Sequence, residues 1–388
     1  MIKIVSTRGI AEIILLFCIV MGVGFSMAYG AIVTSKVSII NSSLLSPQFT
    51  DFAYIIDLAI FGTLLMIALR RHHSKTVFFR ILEFIVVGFT SFFVFLVFYN
   101  LIIPGNVGGV ISLPGKVGYA ISLPVTPGAD LVYAFSIISA IFLMAFKELH
   151  PRAKDLATMM SSIGVGILLG ISFPFLYAMA ILAIVAVYDY ISIFMTKVIV
   201  SFDKALISMN IAFLISVADI EAIPRGYFGK KEEDSYEEYL IRSHEAEKPE
   251  FNRIIKEGKL PVVSQVSLGE GDLSLPLMAA ISAYYTYTNY TFAWIIILGG
   301  VLGIVLTMLL LKIYKKPLPA IPPLFAFISI AGGIGYLVTG MGIGQVSLAF
   351  VAFAAIILYL TFRALLSEAY AGKKAEKRTW LLMRSRKA

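Results

Sequence analysis

The chain has 388 residues, of which 59% are hydrophobic and only 14% are charged. Soluble globular domains carry about 25% charged residues, so this composition excludes that class and predicts an all-α polytopic membrane protein. The net charge of +8 does not call for nucleic acid as a partner, because the basic residues lie mostly in short segments between apolar runs. Cys18 is the single cysteine, which excludes an intrachain disulfide and a cysteine-based metal cluster.

Apolar runs of about 20 residues predict a bundle of about nine to ten transmembrane helices in a lipid bilayer. The first run is long for the core of a signal peptide, so we interpret it as a helix of the mature protein. Pro174 and the polar segment 287–291 mark the two weakest boundaries between neighbouring spans. The predicted spans are 10–33, 52–69, 79–103, 129–146, 156–172, 174–200, 272–288, 290–311, 319–340 and 344–366.

Lysine and arginine alternate strongly between the two sides of these spans, which predicts the orientation of the chain. With a cytoplasmic N-terminus, the outer connections hold only Lys36 and Lys116. Both termini and the loop 201–267 are then cytoplasmic, and the expected location is the cell membrane. The inner connections hold Arg70, Arg71, Lys75, Arg80, Lys147, Arg152, Lys154, Lys312, Lys315 and Lys316.

The order of segments predicts three regions: N-terminal helices over 1–172, further helices with the loop 201–267 over 173–366, and a basic cytoplasmic tail over 367–388. The connection 104–128 contains Ile-Ser-Leu-Pro twice and predicts a small external hairpin.

The cytoplasmic loop 201–267 begins with a segment that is apolar but too short to span. Residues 205–218 therefore predict an interfacial or re-entrant helix. Residues 221–259 are densely charged and predict a solvated, mobile loop.

Two aspartates stand in or beside apolar spans. Asp189 lies inside the span 174–200, and Asp272 opens the span 272–288. A carboxylate at the centre of a membrane helix costs roughly 3 kcal/mol on insertion scales, so it marks a functional site by default. The two spans run in opposite directions, which predicts that both acids lie on the cytoplasmic side of the bilayer midplane. Neighbouring carboxylates that share a proton can act as an aspartic-protease pair.

Each aspartate also has a structural interpretation. Asp189 could bond a hydroxyl on a neighbouring helix, and Asp272 could cap the N-terminus of its own helix. Gly269 and Gly271 permit close approach of backbone to the acid. The proline-rich segment 317–323 predicts an irregular helix start, which is tolerated at membrane depth only inside protein or beside a water-filled cavity.

Three motifs occur in a fixed order: Tyr188-Asp189, then Gly269-Glu270-Gly271-Asp272, then Leu318-Pro319-Ala320-Ile321-Pro322. In this order the chain resembles the presenilin and signal peptide peptidase family of G-x-G-D intramembrane aspartyl proteases, especially its microbial presenilin-like members. The resemblance covers roughly residues 161–336.

The resemblance implies an aspartic endopeptidase that cuts transmembrane helices or signal peptides within the bilayer. Asp189 and Asp272 would be the catalytic pair, and the mechanism would need no cofactor and no metal. The natural substrate and the oligomeric state stay open. The residues that would bind or support substrate are Tyr188, Gly269, Glu270, Gly271, Pro319, Ala320 and Ile321.

Two positions depart from the family pattern. Ile321 stands where the family usually has leucine. Glu270 stands where members often have an apolar residue, and it puts a further carboxylate two residues before Asp272. The sequence leaves open whether Glu270 acts on the ionisation of the pair or only solvates the entrance of the helix.

Three alternatives compete with a presenilin-like protease. A secondary transporter would use Asp189 as a proton or ion site. A prepilin-peptidase-like protease would share the G-x-G-D motif but not the other two motifs. A non-catalytic scaffold would bind helices without cutting them.

Overall fold

The structure is a computed structural model that describes residues 6–33, 38–39, 76–102, 110–112, 120–122, 129–195, 212–224, 249–314, 318–340 and 348–367. The predicted span 52–69 lies outside these residues, as do 368–388 of the predicted basic tail.

Long apolar helices dominate the described residues, which confirms the predicted all-α polytopic fold. Eight of them are long and apolar enough to cross a membrane by length and composition. The count of nine to ten spans stays a prediction, because the predicted span 52–69 is not described and the predicted span 272–288 is not among the eight. These eight helices are α1 (Thr7–Val33), α2 (Thr76–Ile102), α3 (Ala129–Leu149), α4 (Pro151–Ser172), α5 (Phe175–Tyr190), α8 (Tyr290–Tyr314), α9 (Ile321–Thr339) and α10 (Leu348–Ser367).

Helix α7 (Glu270–Tyr287) lies in the middle of the bundle. It contacts α1, α4, α5, α8 and α9, and every residue from Leu273 to Tyr284 is buried. A helix that is enclosed on all sides must bury its whole circumference. The alanines and serines of α7 are small enough to let its neighbours approach. This helix therefore forms the axis around which α1, α4, α5, α8 and α9 pack.

Helices α8 and α9 approach closely along a face of small residues. A Cβ added to Gly299 of α8 would lie 2.6 Å from the Cβ of Ala331 and 2.8 Å from the carbonyl oxygen of Phe327 on α9. One turn further along α8, a Cβ added to Gly303 would lie 2.7 Å from the Cα of Leu324. Two glycines four residues apart make one flat stripe, which is a common way to pack helices in membranes.

The predicted external hairpin is present as strands. Strands β2 (Val110–Ser112) and β3 (Ala120–Ser122) pair antiparallel, and Ile111 stands opposite Ile121. The two Ile-Ser-Leu-Pro repeats thus supply both strands of the hairpin. The short strand β1 (Ser38–Ile39) pairs with the other edge of β3.

A second hairpin replaces the helix predicted over 205–218. Strand β4 (Leu214–Pro224) pairs antiparallel with β5 (Lys259–Gly269) over eleven residue pairs. The prediction is therefore wrong for 214–218. β-Branched Ile215 and Val217 favour an extended chain, and β5 supplies a partner for its backbone groups. Residues 201–211 lie outside the described residues.

The prediction of a solvated loop over 221–259 is wrong at both of its ends. Residues 221–224 continue β4, and α6 (Pro249–Lys256) precedes the turn into β5. Gly258 in that turn has a φ of 73°, a conformation that favours glycine.

Two lysines expected in a solvated connection are buried instead. Lys147 lies in the last turn of α3 and pairs with Glu83 of α2, and Lys154 lies in the first turns of α4. The prediction treated them as loop charges because they stand where apolar runs end. Because they are buried, these two lysines no longer count among the inner loop charges that support the predicted orientation of the chain.

We expect Gly299→Ala to destabilise the protein by about 1–3 kcal/mol, because the added methyl group overpacks the contact between α8 and α9. The matched control is Gly88→Ala on α2, where nothing lies within 4 Å of an added Cβ. Helix propensity predicts no loss for that change. Thermal unfolding in detergent measures both, and equal melting temperatures would contradict the expectation.

Candidate active site

Asp189 lies near the end of α5 and receives a hydrogen bond from the start of α9. The backbone N–H of Ile321 donates to Oδ2 of Asp189 over 3.1 Å. Beyond Tyr190 the helix continues as a turn of π-helix, Ile191–Met195. Tyr188, next to the acid, is half-buried and makes a side-chain hydrogen bond with Ser192. The first and third sequence motifs therefore meet at one carboxylate.

The prolines of the third motif leave few backbone donors at this helix start. Ile321 is the first residue of α9, and Pro322 and Pro323 follow it. Proline has no N–H, so Ile321 supplies the one backbone donor among the first three residues. That donor points at Asp189. Pro319 and Ala320 are buried just before it, so the whole motif is packed into the bundle.

Asp272 lies in the first turn of α7. Its Oδ2 accepts a hydrogen bond from the backbone N–H of Gly269 over 3.1 Å. Gly269, not Asp272, is the N-cap residue, so the simple capping interpretation of Asp272 is wrong in detail. The acid instead reaches back from the third helical position to the cap, as in half of a capping box.

The two glycines of the motif differ in their surroundings. A Cβ added to Gly269 would lie 3.2 Å from Oδ2 of Asp272, which is a tight contact. A Cβ added to Gly271 would meet nothing within 4 Å, and Gly271 is exposed. Close approach to the carboxylate thus requires glycine at 269, whereas 271 leaves open space beside the helix start.

Glu270 turns away from Asp272 towards α4. Its Oε1 accepts a hydrogen bond from Oγ of Ser161. The Ser161 hydroxyl lies 2.7 Å from Oγ1 of Thr90 on α2. Glu270 is half-buried in this chain of polar groups. The interpretation that it only solvates the helix entrance does not fit this arrangement.

Helix α7 also holds the broken backbone between α4 and α5. The chain leaves the helical conformation at Phe173 and Pro174. Oγ of Ser282 donates to the carbonyl oxygen of Phe173 over 2.5 Å, and the N–H of Phe175 donates to Oγ1 of Thr286 over 2.9 Å. Two hydroxyls of α7 therefore satisfy backbone groups that the break leaves without helical partners.

This attachment gives the two aspartates a common reference point. Asp189 is fourteen residues after Phe175 along α5, and Asp272 is fourteen residues before Thr286 along α7. The two helices contact each other. At 1.5 Å per residue, about 21 Å of helix leads from the attachment to each acid. Equal lengths of helix therefore connect one attachment to the two carboxylates.

Among the residues that the structure describes, no group of three or more histidine, cysteine, aspartate or glutamate side chains could hold a metal ion. The site instead offers two carboxylates, backbone donors and open space beside Gly271.

The family model for signal-peptide peptidase and presenilin aspartyl protease matches residues 14–345. The chain belongs to this family. Membership in the presenilin and signal-peptide peptidase family implies an intramembrane aspartic protease activity, and together with the apolar helices it makes the chain a multi-pass integral membrane protein.

Among solved structures, a presenilin family intramembrane aspartate protease matches with a TM-score of 0.44 and 18% sequence identity. The match covers 85% of this chain and 95% of that chain. The comparison with curated proteins yields no match.

We expect the double change Ser282→Ala and Thr286→Val to destabilise the protein by roughly 1–3 kcal/mol, because it leaves two backbone groups at the α4–α5 break unpaired. Ser172→Ala is the matched control, since its exposed hydroxyl bonds only a carbonyl of its own helix. Thermal unfolding in detergent compares them. A double variant as stable as the control would contradict this role of α7.

Proposed function

We propose that the chain is an intramembrane aspartyl endopeptidase in which Asp189 and Asp272 form the catalytic pair. The observation that carries the proposal is the attachment of α5 to α7 at Phe175 and Thr286, from which an equal length of each helix leads to one of the acids. Family membership supports it independently. The backbone donors at Ile321 and Gly269 support it further, because each fixes one oxygen of a proposed catalytic carboxylate.

The proposed chemistry is general acid–base hydrolysis. One aspartate is ionised and takes a proton from water, while the other is protonated and donates to the carbonyl oxygen of the scissile bond. The water oxygen adds to the carbonyl carbon. The tetrahedral intermediate then collapses, the C–N bond breaks, and the leaving nitrogen takes a proton from an aspartic acid. The pair titrates as one unit, so neither role is assigned to a fixed residue.

The substrates that fit this site are transmembrane helices or signal peptides in the lipid bilayer. A helical peptide bond is internally hydrogen-bonded, so the substrate must unwind before it can reach the carboxylates. Strand β5 ends at Gly269, three residues before Asp272, and among the described strands it pairs only with β4. An unwound substrate could be held extended by strand addition beside this hairpin.

The supporting residues of the proposed site divide into two groups by position. Tyr188 and the third motif line the Asp189 side, where Pro319 and Ala320 are buried. Gly269 and Glu270 shape the Asp272 side, and the open space at Gly271 lies next to them. The cell-membrane location and the cytoplasmic side for both termini and the loop 201–267 remain predictions from the charge pattern.

A single reconstitution experiment separates the proposed function from its alternatives. The purified protein is incubated in liposomes with a transmembrane peptide, and the products are mapped by mass spectrometry. Cleavage within the span supports the proposal, and cleavage at the membrane border supports a prepilin-peptidase-like protease. Solute flux without cleavage supports a transporter, and binding without cleavage or flux supports a scaffold.

We expect Asp189→Asn and Asp272→Asn each to reduce cleavage to the background rate. The amide fills the same space but cannot exchange the proton that the reaction requires. Glu257→Gln is the control, because Glu257 is an exposed carboxylate near α6 and away from both motifs. Cleavage rates are measured on one peptide, with melting temperatures for every variant. Retained cleavage in either folded aspartate variant would show that the pair is assigned wrongly.

A further inference from the structure

A buried ion pair joins two helices that carry none of the proposed catalytic residues. Nζ of Lys147 on α3 lies 2.5 Å from Oε1 of Glu83 on α2, and the side chains are 1% and 3% exposed. A small apolar cluster lies on these two helices and on α4; its members there are Val87, Leu143 and Ala157. Burying two charges is costly, and good geometry with further hydrogen bonds is needed to offset the cost. The pair therefore calls for a role beyond its own attraction.

The same carboxylate oxygen holds the backbone in front of β4. The N–H of Ala212 donates to Oε1 of Glu83 over 2.5 Å. Ala212 is fully buried and belongs to the apolar cluster beside the ion pair. A buried N–H needs an acceptor, and Glu83 is the acceptor here. Residue 212 is thus fixed to α2 from one side.

The next residue reaches the G-x-G-D motif. The carbonyl oxygen of Phe213 accepts a hydrogen bond from the N–H of Glu270 over 3.0 Å. Leu214 then pairs with Gly269 at the end of the hairpin. A continuous connection therefore runs from Glu83 through the backbone of two consecutive residues, Ala212 and Phe213, to Glu270, two residues before Asp272.

We propose that Glu83 and Lys147 are positioning residues for the catalytic motif, acting through Ala212 and Phe213 on the backbone of Glu270. The inference rests on the proposed function of Asp272. Glu83 supplies the acceptor that fixes the chain, and Lys147 compensates and orients its carboxylate. Among the described residues, no hydrogen bond joins the side chain of Glu83 or Lys147 to either proposed catalytic carboxylate.

The hairpin of β4 and β5 has a second attachment to the helices, so the role of Glu83 can be tested without detaching the hairpin. Oδ1 of Asp155 on α4 accepts a hydrogen bond from the N–H of Ser216 over 3.3 Å. With Glu83 altered, β4 stays attached at Ser216. The expected consequence is a displaced motif and not a detached strand.

The test compares two double variants that both remove the two charges of the ion pair together. Glu83→Gln with Lys147→Met keeps an acceptor for the N–H of Ala212. Glu83→Met with Lys147→Met removes it. We expect the first variant to cleave a transmembrane peptide with a kcat within about threefold of the unaltered protein. In the second, kcat should fall by roughly tenfold or more at nearly unchanged KM, because small misplacements of a catalytic group are costly.

Hydrogen exchange gives a readout that does not depend on proteolysis. Mass spectrometry of the segment around Glu270 should show faster exchange of its amide, by about tenfold or more, in the variant without the acceptor and no change in the other. Glu148→Gln is the control for charge alone, since Glu148 is a half-exposed partner of Lys147 that accepts no backbone donor among the described hydrogen bonds.

Each outcome decides the proposal. Two results would overturn the positioning role. The first is an equal loss of kcat in the two double variants, and the second is equal melting temperatures together with equal exchange at Glu270. Either result would mean that the ion pair only stabilises the helices. If the unaltered protein cleaves nothing, the proposed function fails by itself. The exchange result then still confirms or overturns the connection from Glu83 to Glu270.

Discussion

The attachment of the α4–α5 break to α7 is the interaction on which the geometry of the site depends. The break at Phe173 and Pro174 leaves backbone groups without helical partners, and buried groups of this kind need partners inside the protein. Ser282 and Thr286 supply them. Because α5 and α7 each run as helix from this point to an aspartate, a fixed attachment at one end becomes a fixed register at the other. Rigid helices thus transmit the position of two hydroxyls over about 21 Å.

At the other end of α5, the prolines of α9 limit the backbone donors beside Asp189. The start of α9 has a single backbone donor in its first three residues, and that donor is directed at Asp189. The close stripe of Gly299 and Gly303 holds α9 against α8 and so holds this donor in place. One aspartate is thereby fixed by a neighbouring helix, and the other is fixed by its own helix cap at Gly269.

Much of this organisation can be predicted from the sequence, because it follows from composition and from local motifs. The apolar runs predict the helices, and the order of the three motifs predicts which segments matter. The positions of Asp189 near the end of α5 and of Asp272 in the first turn of α7 follow from the bounds of the apolar runs. The repeated Ile-Ser-Leu-Pro predicts the short hairpin at β2 and β3. Each of these inferences needs only information that is near in sequence.

The parts that escaped prediction depend on contacts between distant segments. The sequence predicts a helix at the start of β4, because its partner β5 begins some thirty-five residues later. It predicts Lys147 and Lys154 as loop charges, because Glu83 is not near them in sequence. One signal in the sequence indicates the hydroxyls that join helices, because hydroxyls in apolar helices often bond across to a neighbour. These residues are Ser161, Thr90, Ser282 and Thr286. That signal does not say which neighbour.

The burial of α7 has a consequence for how the protein is made. This helix carries a proposed catalytic aspartate, yet it is not among the eight described helices that are apolar enough to cross a membrane by composition. Its serines, tyrosines, Pro276 and two acids make it a poor candidate for entering lipid by itself. Its residues become favourable only beside α1, α4 and α5, which precede it in the chain. Synthesis from the N-terminus therefore builds a protein-lined slot first, and the helix that brings the second carboxylate enters a space already shaped for it.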